Sequence, residues 1–457
     1  MIPLPSPELI ERYNRPTPRY TSYPPASEWT PAFDHAALDE RLLAADQATG
    51  ALSLYVHLPF CPEMCRFCGC NVIATRDRSR ADEYLDVLEQ EIRLWAEKLP
   101  RRREVQQLHL GGGTPTFLTP AQLERLVGMI DATFERLPGA ELSVEVDPAI
   151  TTPKHLETLG RLGFNRLSVG IQDLDGSVQA AIGRIQSAEQ TELVIGAGRA
   201  NGFTNVNVDL MYGLPFQTPL SVERTIGRVL DMLPDRLALF GYAHVPWAKP
   251  HQRLLPQAAL PGSVARVELF ALAARLLEEK GFQQIGLDHF ARKMDPLARA
   301  QREGTLTRNF QGYSTQVPPD TIALGVSAIS DIGGAFAQGK HRLGEWAESV
   351  RRGELPLERG WVRTNDDERR AAAIREVMCL LRFDVGPLTT QYGQAAQELF
   401  AEVQPGLEAL EKDGLVTMRP GGFDVAPLGR IFLRNIAAVF DGYLGQTGRQ
   451  QVFSKAV

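Results

Sequence analysis

The chain has 457 residues, 44% hydrophobic and 23% charged, a balance ordinary for a globular protein with one or two cores and a smaller appendage. Its net charge of −6 argues against a nucleic-acid binder, and no run approaches the roughly 20 apolar residues a membrane span needs. Five cysteines and an N-terminus that is neither basic nor apolar enough for secretion argue against a disulfide framework and for a reducing, cytoplasmic setting.

Residues 1–50 are rich in proline and aromatics, with no helical periodicity before about Phe33. Prolines interleaved with Tyr20 and Tyr23 read as an arm docked on the rest of the chain, a disordered tail being the alternative. From residue 51 a β-rich run, a polar or glycine turn and an amphipathic helical stretch recur. Strands are predicted over 52–57, 105–110, 142–146, 166–171, 205–211 and 237–242. Helices are predicted over 81–98, 120–136, 153–163 and 220–233, with Thr119 and Thr152 as N-caps before prolines. This alternation is α/β: a parallel sheet with helices outside it.

Polar residues gather at the predicted strand ends: Cys61, Gly111 to Thr114, Glu145, Gln172, Asp209 and His244. Strand ends converge on one mouth in a barrel but spread along an edge in an open sheet, so one shared site favours a partial (β/α)6-type barrel. Beyond it, 283–287 and 321–327 read as strands, 295–303 as a helix and 308–313 as a loop, which extends the barrel region to 51–360. Residues 361–457 turn helical, over 366–381, 387–400, 406–412 and 428–443, with a hairpin of 414–418 and 423–425. Helices and a small hairpin resemble a winged helix; lacking a basic recognition helix, this part reads as a cover for the site rather than a DNA module.

The chemistry is concentrated in Cys61-Pro-Glu-Met-Cys65-Arg-Phe-Cys68-Gly-Cys70, which holds four of the five cysteines; Cys379 stands apart. The Cys-x3-Cys-x2-Cys spacing supplies three thiolates from one tight loop. Structural zinc and ordinary iron–sulfur clusters take four protein ligands, so three leave one iron of a cubane open to a small chelating molecule. A zinc site with Cys70 as fourth ligand is the alternative, with Cys68 and Cys70 spaced more tightly than zinc pairs usually are. Tyr55 and His57 lead directly into this loop, and Phe67 within it offers an aromatic face for stacking or shielding. Gly111-Gly-Gly-Thr114 lacks the Lys-Ser/Thr of a P-loop and the spacing of a dinucleotide fingerprint; it reads as a close-approach bed, or as a plain tight turn. Glu145, Gln172, Arg184 and Asp209 supply two anions, an amide and a guanidinium. Arg15, Arg19, Arg292, Arg302 and Arg308 lie in aromatic-rich segments and suit an acidic, flat substrate, although each alone reads as a solvated charge.

On these residues the chain resembles the radical S-adenosylmethionine (radical SAM) superfamily. Further runs narrow the resemblance to the oxygen-independent coproporphyrinogen III oxidases. They are Pro18-Arg-Tyr-Thr-Ser-Tyr-Pro24, Cys68-Gly-Cys70-Asn71, Asp209-Leu-Met-Tyr-Gly-Leu-Pro215, Gly286-Leu-Asp-His-Phe-Ala-Arg292, Arg308-Asn-Phe-Gln-Gly-Tyr313 and Gly325-Val-Ser-Ala-Ile-Ser330. The resemblance implies a radical SAM barrel with an N-terminal arm and a mostly helical C-terminal domain. It implies a [4Fe-4S] cluster on Cys61, Cys65 and Cys68, with Cys70 nearby but not a ligand. Two S-adenosylmethionine molecules are implied: one contacted by Tyr55, Gly112, Glu145, Ala243 and Ile329, the other by Phe67, Gly113, Thr114, Gln172, Arg184 and Asp209. Gln311 is a candidate for substrate handling, and Tyr55 and His57 are candidate catalytic residues. The implied substrate is coproporphyrinogen III, the electron donor is unidentified, and the expected state is a monomer without nucleic-acid or membrane partners. A haem chaperone on the same scaffold is the rival reading; that group typically lacks a counterpart of Cys70.

Overall fold

The computed structural model describes residues 2–31, 35–315, 320–444 and 453–456. Phe33, where the sequence places the onset of helical periodicity, lies outside them; the helix that follows spans His35–Gln47. Among the described residues, twelve strands join one sheet. Six follow one another in parallel: β1 (Leu52–Leu58), β2 (Glu104–Gly112), β3 (Glu135–Val146), β4 (Arg166–Gln172), β5 (Asn205–Tyr212) and β6 (Arg236–Gly241). Antiparallel β7 (Phe282–Ile285) and β8 (His289–Arg292) extend the sheet past β6, with β8 against it. On the other side of β1 stands β9 (Asp320–Leu324), parallel to it, then β10 (Ile329–Ile332), β11 (Ala335–Gly339) and β12 (Leu357–Val362). The sheet keeps two free ends, so the barrel is partial.

Alternation along the strands decides what this barrel contains. Leu54, Val56 and Leu58, Leu108 and Leu110, Leu167 and Val169, and Val206 and Val208 are fully buried in the main core. Between them Ser53, Tyr55, His57, His109, Ser143, Glu145, Ser168, Asn207 and Asp209 line the interior. A period of two puts successive side chains on opposite faces, so apolar residues pack under the helices and polar ones face inward. Helices α1 (Ser79–Lys98), α2 (Pro120–Asp131) and α3 (Pro153–Arg161) cover the outside. Thr119 and Thr152 cap α2 and α3 as expected, each in a reciprocal box, with Gln122 and His155.

Several boundaries differ from the sequence reading. The helix predicted to 136 stops at Asp131, because Glu135 and Arg136 already pair with Glu104 and Val105 in β2. The strand predicted over 283–287 ends at Ile285, where Gly286 (φ +56°) turns the chain into β8, a strand absent from that reading. The strand predicted over 321–327 stops at Leu324, before Gly325 (φ +98°). Residues 308–313 are not a loop but most of a hairpin, Thr307–Asn309 against Gly312–Ser314, its tip fixed by the Asn309 side chain accepting from Gln311 N–H.

The C-terminal region packs helices α4 (Asn365–Leu380), α5 (Val385–Tyr392) and α6 (Gln394–Lys412) around a three-stranded sheet. The break between the last two helices falls at Gly393 (φ +61°) rather than between 400 and 406, and Pro405 is accommodated inside α6. The helix predicted over 428–443 is instead two 3-10 turns flanking a short α segment, Leu433–Ala437. Gly429 lies so close to the Leu415 carbonyl that a Cβ would stand 2.0 Å from it, so packing there sets the backbone path. The arm is docked: the Tyr20 hydroxyl donates to Asp441 (2.9 Å), Tyr23 accepts from Gly442 N–H (2.9 Å) and Trp29 stacks on Phe336. Among the described residues no helix is long and apolar enough to cross a membrane.

Candidate active site

The barrel interior opens into a cavity of about 530 Å³ at the C-terminal ends of the parallel strands. Cys61, Cys65, Cys68 and Cys70 line it, on the loop that leaves β1. The base of this loop is closed by parallel pairing of Phe60 with Ile73 and Cys61 with Ala74. A strap after β6 grips its backbone: Lys249 Nζ donates to the Cys70 carbonyl (2.9 Å), His251 Nε2 to Cys68 (2.8 Å) and Gln252 Nε2 to Phe67 (3.1 Å). All five cysteines are free thiols. Burial pushes the Cys61 thiol up to about 11 and raises Cys65, whereas the hydrogen bond with Cys70 pulls Cys68 down to about 6.

The triple glycine is a matter of clearance. A Cβ on Gly112 (φ +108°) would stand 2.6 Å from the His57 ring, and one on Gly113 2.7 Å from the Phe60 carbonyl. Gly113 and Thr114 donate N–H to Leu58 and Phe60 (2.8 Å each), which ties the glycine run to the root of the cysteine loop. Thr114 Oγ1 lies 3.3 Å from Cys61 Sγ.

His57 is held in one tautomer. Its Nε2 donates to the Asn71 carbonyl (3.0 Å), so Nδ1 accepts from the Tyr55 hydroxyl (3.1 Å). Burial lowers the His57 pKa, which keeps the ring neutral. Tyr55 stacks on His109, whose Nε2 meets Glu145 Oε1 at 2.9 Å and whose Nδ1 meets Ser143 Oγ. Burial works to raise Glu145, but His109 and the Gly112 N–H outweigh it and hold the carboxyl below its ordinary range. Asp209 goes the other way. Burial and then the Glu145 charge push it up to about 6, against hydrogen bonds from Ser168 and Asn207. Arg184 spans Gly170 O (2.7 Å), Asp147 (3.2 Å) and Cys65 Sγ (3.9 Å). Gln172 occupies a bulge with φ +67° beside it.

The cluster, S-adenosylmethionine and catalytic residues that the resemblance implies all line this cavity except Ala243, which lines a separate, smaller one; Gly111 and His244 line neither. Gln311 sits at the tip of the 307–314 hairpin, in the wall shared with a third cavity under the arm. The five arginines do not act as a set. Arg19 pairs with Asp288 (2.5 Å), and Arg308 donates to the Arg19 and Tyr20 carbonyls. Arg292 and Arg302 are held at the outer edge of the sheet by Phe282 and Gln283, and Arg15 is exposed. Sequence reasoning missed His109, Ser143, Ser168 and Asn207, although polar residues at every second position of β2 to β5 were the signal for them.

A three-thiol loop at the mouth of a parallel partial barrel is the arrangement of the radical SAM superfamily, whose family profile matches residues 55–229. Oxygen-independent coproporphyrinogen III oxidases are similar over the full length: that of Synechocystis sp. is 40% identical over 456 residues, 99% of this chain and 98% of the relative. That of Escherichia coli K12 is 44% identical over 449 residues, 98% of each. The solved coproporphyrinogen III oxidase (HemN) from Escherichia coli, a radical SAM enzyme, superposes with a TM-score of 0.91 at 42% identity, covering 97% of this chain and 100% of that one. The chain belongs to the oxygen-independent coproporphyrinogen III oxidase family.

The lining fits a [4Fe-4S] cluster with S-adenosylmethionine. Among the described residues no three His, Cys, Asp or Glu side chains converge as one metal ion would require, yet four thiols share the cavity wall, enough to supply the three that a cubane with one open iron takes. Arg184 Nε and Asn207 Oδ1 are buried at this wall without partners, polar capacity left for a ligand.

Proposed function

We infer that this protein is an oxygen-independent coproporphyrinogen III dehydrogenase of haem biosynthesis. It converts two propionates of coproporphyrinogen III to vinyls by oxidative decarboxylation, giving protoporphyrinogen IX. The full-length similarity to oxidases of that name, joined to a three-thiol loop in a polar barrel mouth, carries this reading. When bound, the cluster and S-adenosylmethionine supply the radical chemistry that breaks an unactivated propionate C–H bond, which no side-chain base can do.

The chain's own residues hold, orient and exclude. Cys61, Cys65 and Cys68 hold the cluster. Tyr55, Gly112, Glu145 and Ile329 receive one S-adenosylmethionine, Glu145 as the anion for its ammonium. Phe67, Gly113, Thr114, Gln172, Arg184 and Asp209 receive a second. The Tyr55–His57–Asn71 chain fixes the wall beside them, and Gln311 orients the substrate from the hairpin tip. Arm and C-terminal region cover the mouth and keep water out. We assign these duties to three parts: the arm 1–50, the barrel and its extension 51–360, and the C-terminal domain 361–457. That division is supported by β12 ending at Val362 and α4 starting at Asn365. A cytoplasmic monomer reduced by a separate electron donor completes the reading, its reducing compartment supported by the free thiols.

The test is an anaerobic assay of cluster-reconstituted protein with reductant, S-adenosylmethionine and coproporphyrinogen III, followed by mass spectrometry. Loss of two carbon dioxide units with 5′-deoxyadenosine formed is the expected result. Deoxyadenosine with an unchanged tetrapyrrole overturns the substrate; neither product, with an intact cluster and bound haem, favours a chaperone.

A further inference from the structure

A second cavity, of about 40 Å³, lies at the ends of β5 and β6, bounded by Arg19 of the arm and by residues 454–456. One water needs about 10–15 Å³ of such space, so a small planar anion fits. Four arginines line it: Arg19, Arg266, Arg430 and Arg434. Among the described lining residues the one carboxylate is Asp288, already shared between Arg19 (2.5 Å) and His289 (2.8 Å). Arg266 gives one bond to the Tyr242 carbonyl (2.8 Å) and keeps a buried Nε without a partner. Arg430 also has an unpartnered buried Nε, and makes no hydrogen bond or ion pair among the described residues. Arg434 is only 6% exposed, yet its donors go to the carbonyls of Thr17, Pro18, Ser454 and Lys455 and to no carboxylate. Burial and then the charge of Arg19 push it down to about 9.

Buried charges are ordinarily paired, and among the described lining residues four guanidiniums and the exposed Lys455 face one carboxylate. Among the described residues the cavity is short of negative charge. It also adjoins the first one. Phe240 and His289 line the large cavity while their chain neighbours Gly241 and Asp288 line the small one, and the Arg19 guanidinium sits 5.9 Å over the Phe240 ring.

We propose that the small cavity binds a carboxylate, and that its occupant is a propionate of the tetrapyrrole other than the one undergoing decarboxylation. This rests on the substrate reading above. Guanidiniums present paired, coplanar N–H donors that match a carboxylate. With Arg19 moved off Asp288, a macrocycle held by Gln311 on one side would be anchored on the other by Arg266 and Arg430.

Anaerobic steady-state kinetics of the reconstituted enzyme test this with R430Q and R266Q. Each is expected to raise KM for coproporphyrinogen III about tenfold or more, with kcat within about twofold, and R430K, which keeps the charge but not the paired donors, to recover only part of the affinity. Calorimetric titration with inorganic phosphate distinguishes a free anion from the substrate carboxylate. Turnover by the wild type with KM unchanged in both glutamine variants overturns the proposal, as does loss of phosphate binding without a KM change. No tetrapyrrole turnover by the wild type overturns the substrate reading itself, a result distinct from either.

Discussion

The inner wall of the barrel and the C-terminal aromatic core are built on opposite terms. In the core, Phe383 packs on Phe400, Phe423 and Phe440 with ring centroids 4.9–5.9 Å apart, and it is fully buried. Those rings need nothing further. The wall carries Glu145 and Asp209 shifted in opposite directions, and polar atoms of Arg184 and Asn207 left over. Its contacts become complete only with a ligand. The difference teaches that holding the fold and holding the ligand fall to different faces and regions, so they should fail separately.

The sharpest break is at the loop. Cys65→Ala should abolish cluster binding, read as loss of the iron–sulfur absorbance and of protein-bound iron, while thermal unfolding of the cofactor-free protein hardly moves. A large drop in Tm would erase the distinction. Phe383→Ala should do the reverse, costing about 3–5 kcal/mol in denaturant unfolding while cluster content per folded molecule is retained. Glu145→Gln should weaken S-adenosylmethionine binding about tenfold, measured by equilibrium dialysis, with unfolding changed by less than about 1 kcal/mol.

Glu91 on α1 gives a subtler test, because it is a buried carboxyl that belongs to the fold. Its Oε2 accepts from Gly325 N–H (2.8 Å) and Trp346 Nε1–H (3.1 Å), and burial pushes its pKa up to about 7. A carboxyl raised in the folded state keeps its proton there while the unfolded chain releases it. Stability is therefore lost as pH climbs from about 4.5 to about 7, by roughly 3 kcal/mol. Glu91→Gln keeps both accepted bonds and should flatten that slope in urea unfolding across the window. An unchanged slope would show that Glu91 does not set it.

The sequence made some of this plain and hid the rest for physical reasons. Six strands, their helices and the three cysteines carry strong local signals: β-branched runs, Thr-Pro caps and unusual thiol density. The β8 strand and the 307–314 hairpin depend on Gly286 and Asn309 turning the chain, and such turns announce themselves only when their partners are known. His109 and Asn207 were visible as polar residues alternating with apolar ones, but that pattern acquires meaning only when the sheet curls. The strap was invisible. Lys249, His251 and Gln252 bind backbone carbonyls, and every residue offers the same carbonyl. The failed helix over 428–443 shows tertiary packing at Gly429 overruling local preference.

The bonds that close and grip the cysteine loop run through its backbone, and sulfur adds the contacts of Cys61 with Thr114 and of Cys65 with Arg184. Its ends are joined at Phe60–Ile73 and Cys61–Ala74, and its crown is gripped at 67, 68 and 70. A small zinc domain folds around its ion and collapses without it. Here protein contacts close the loop, so it should keep its shape whether or not iron is bound. Damage by oxygen would then be a repairable loss of inorganic content rather than an unfolding event, and the same polypeptide could be charged again.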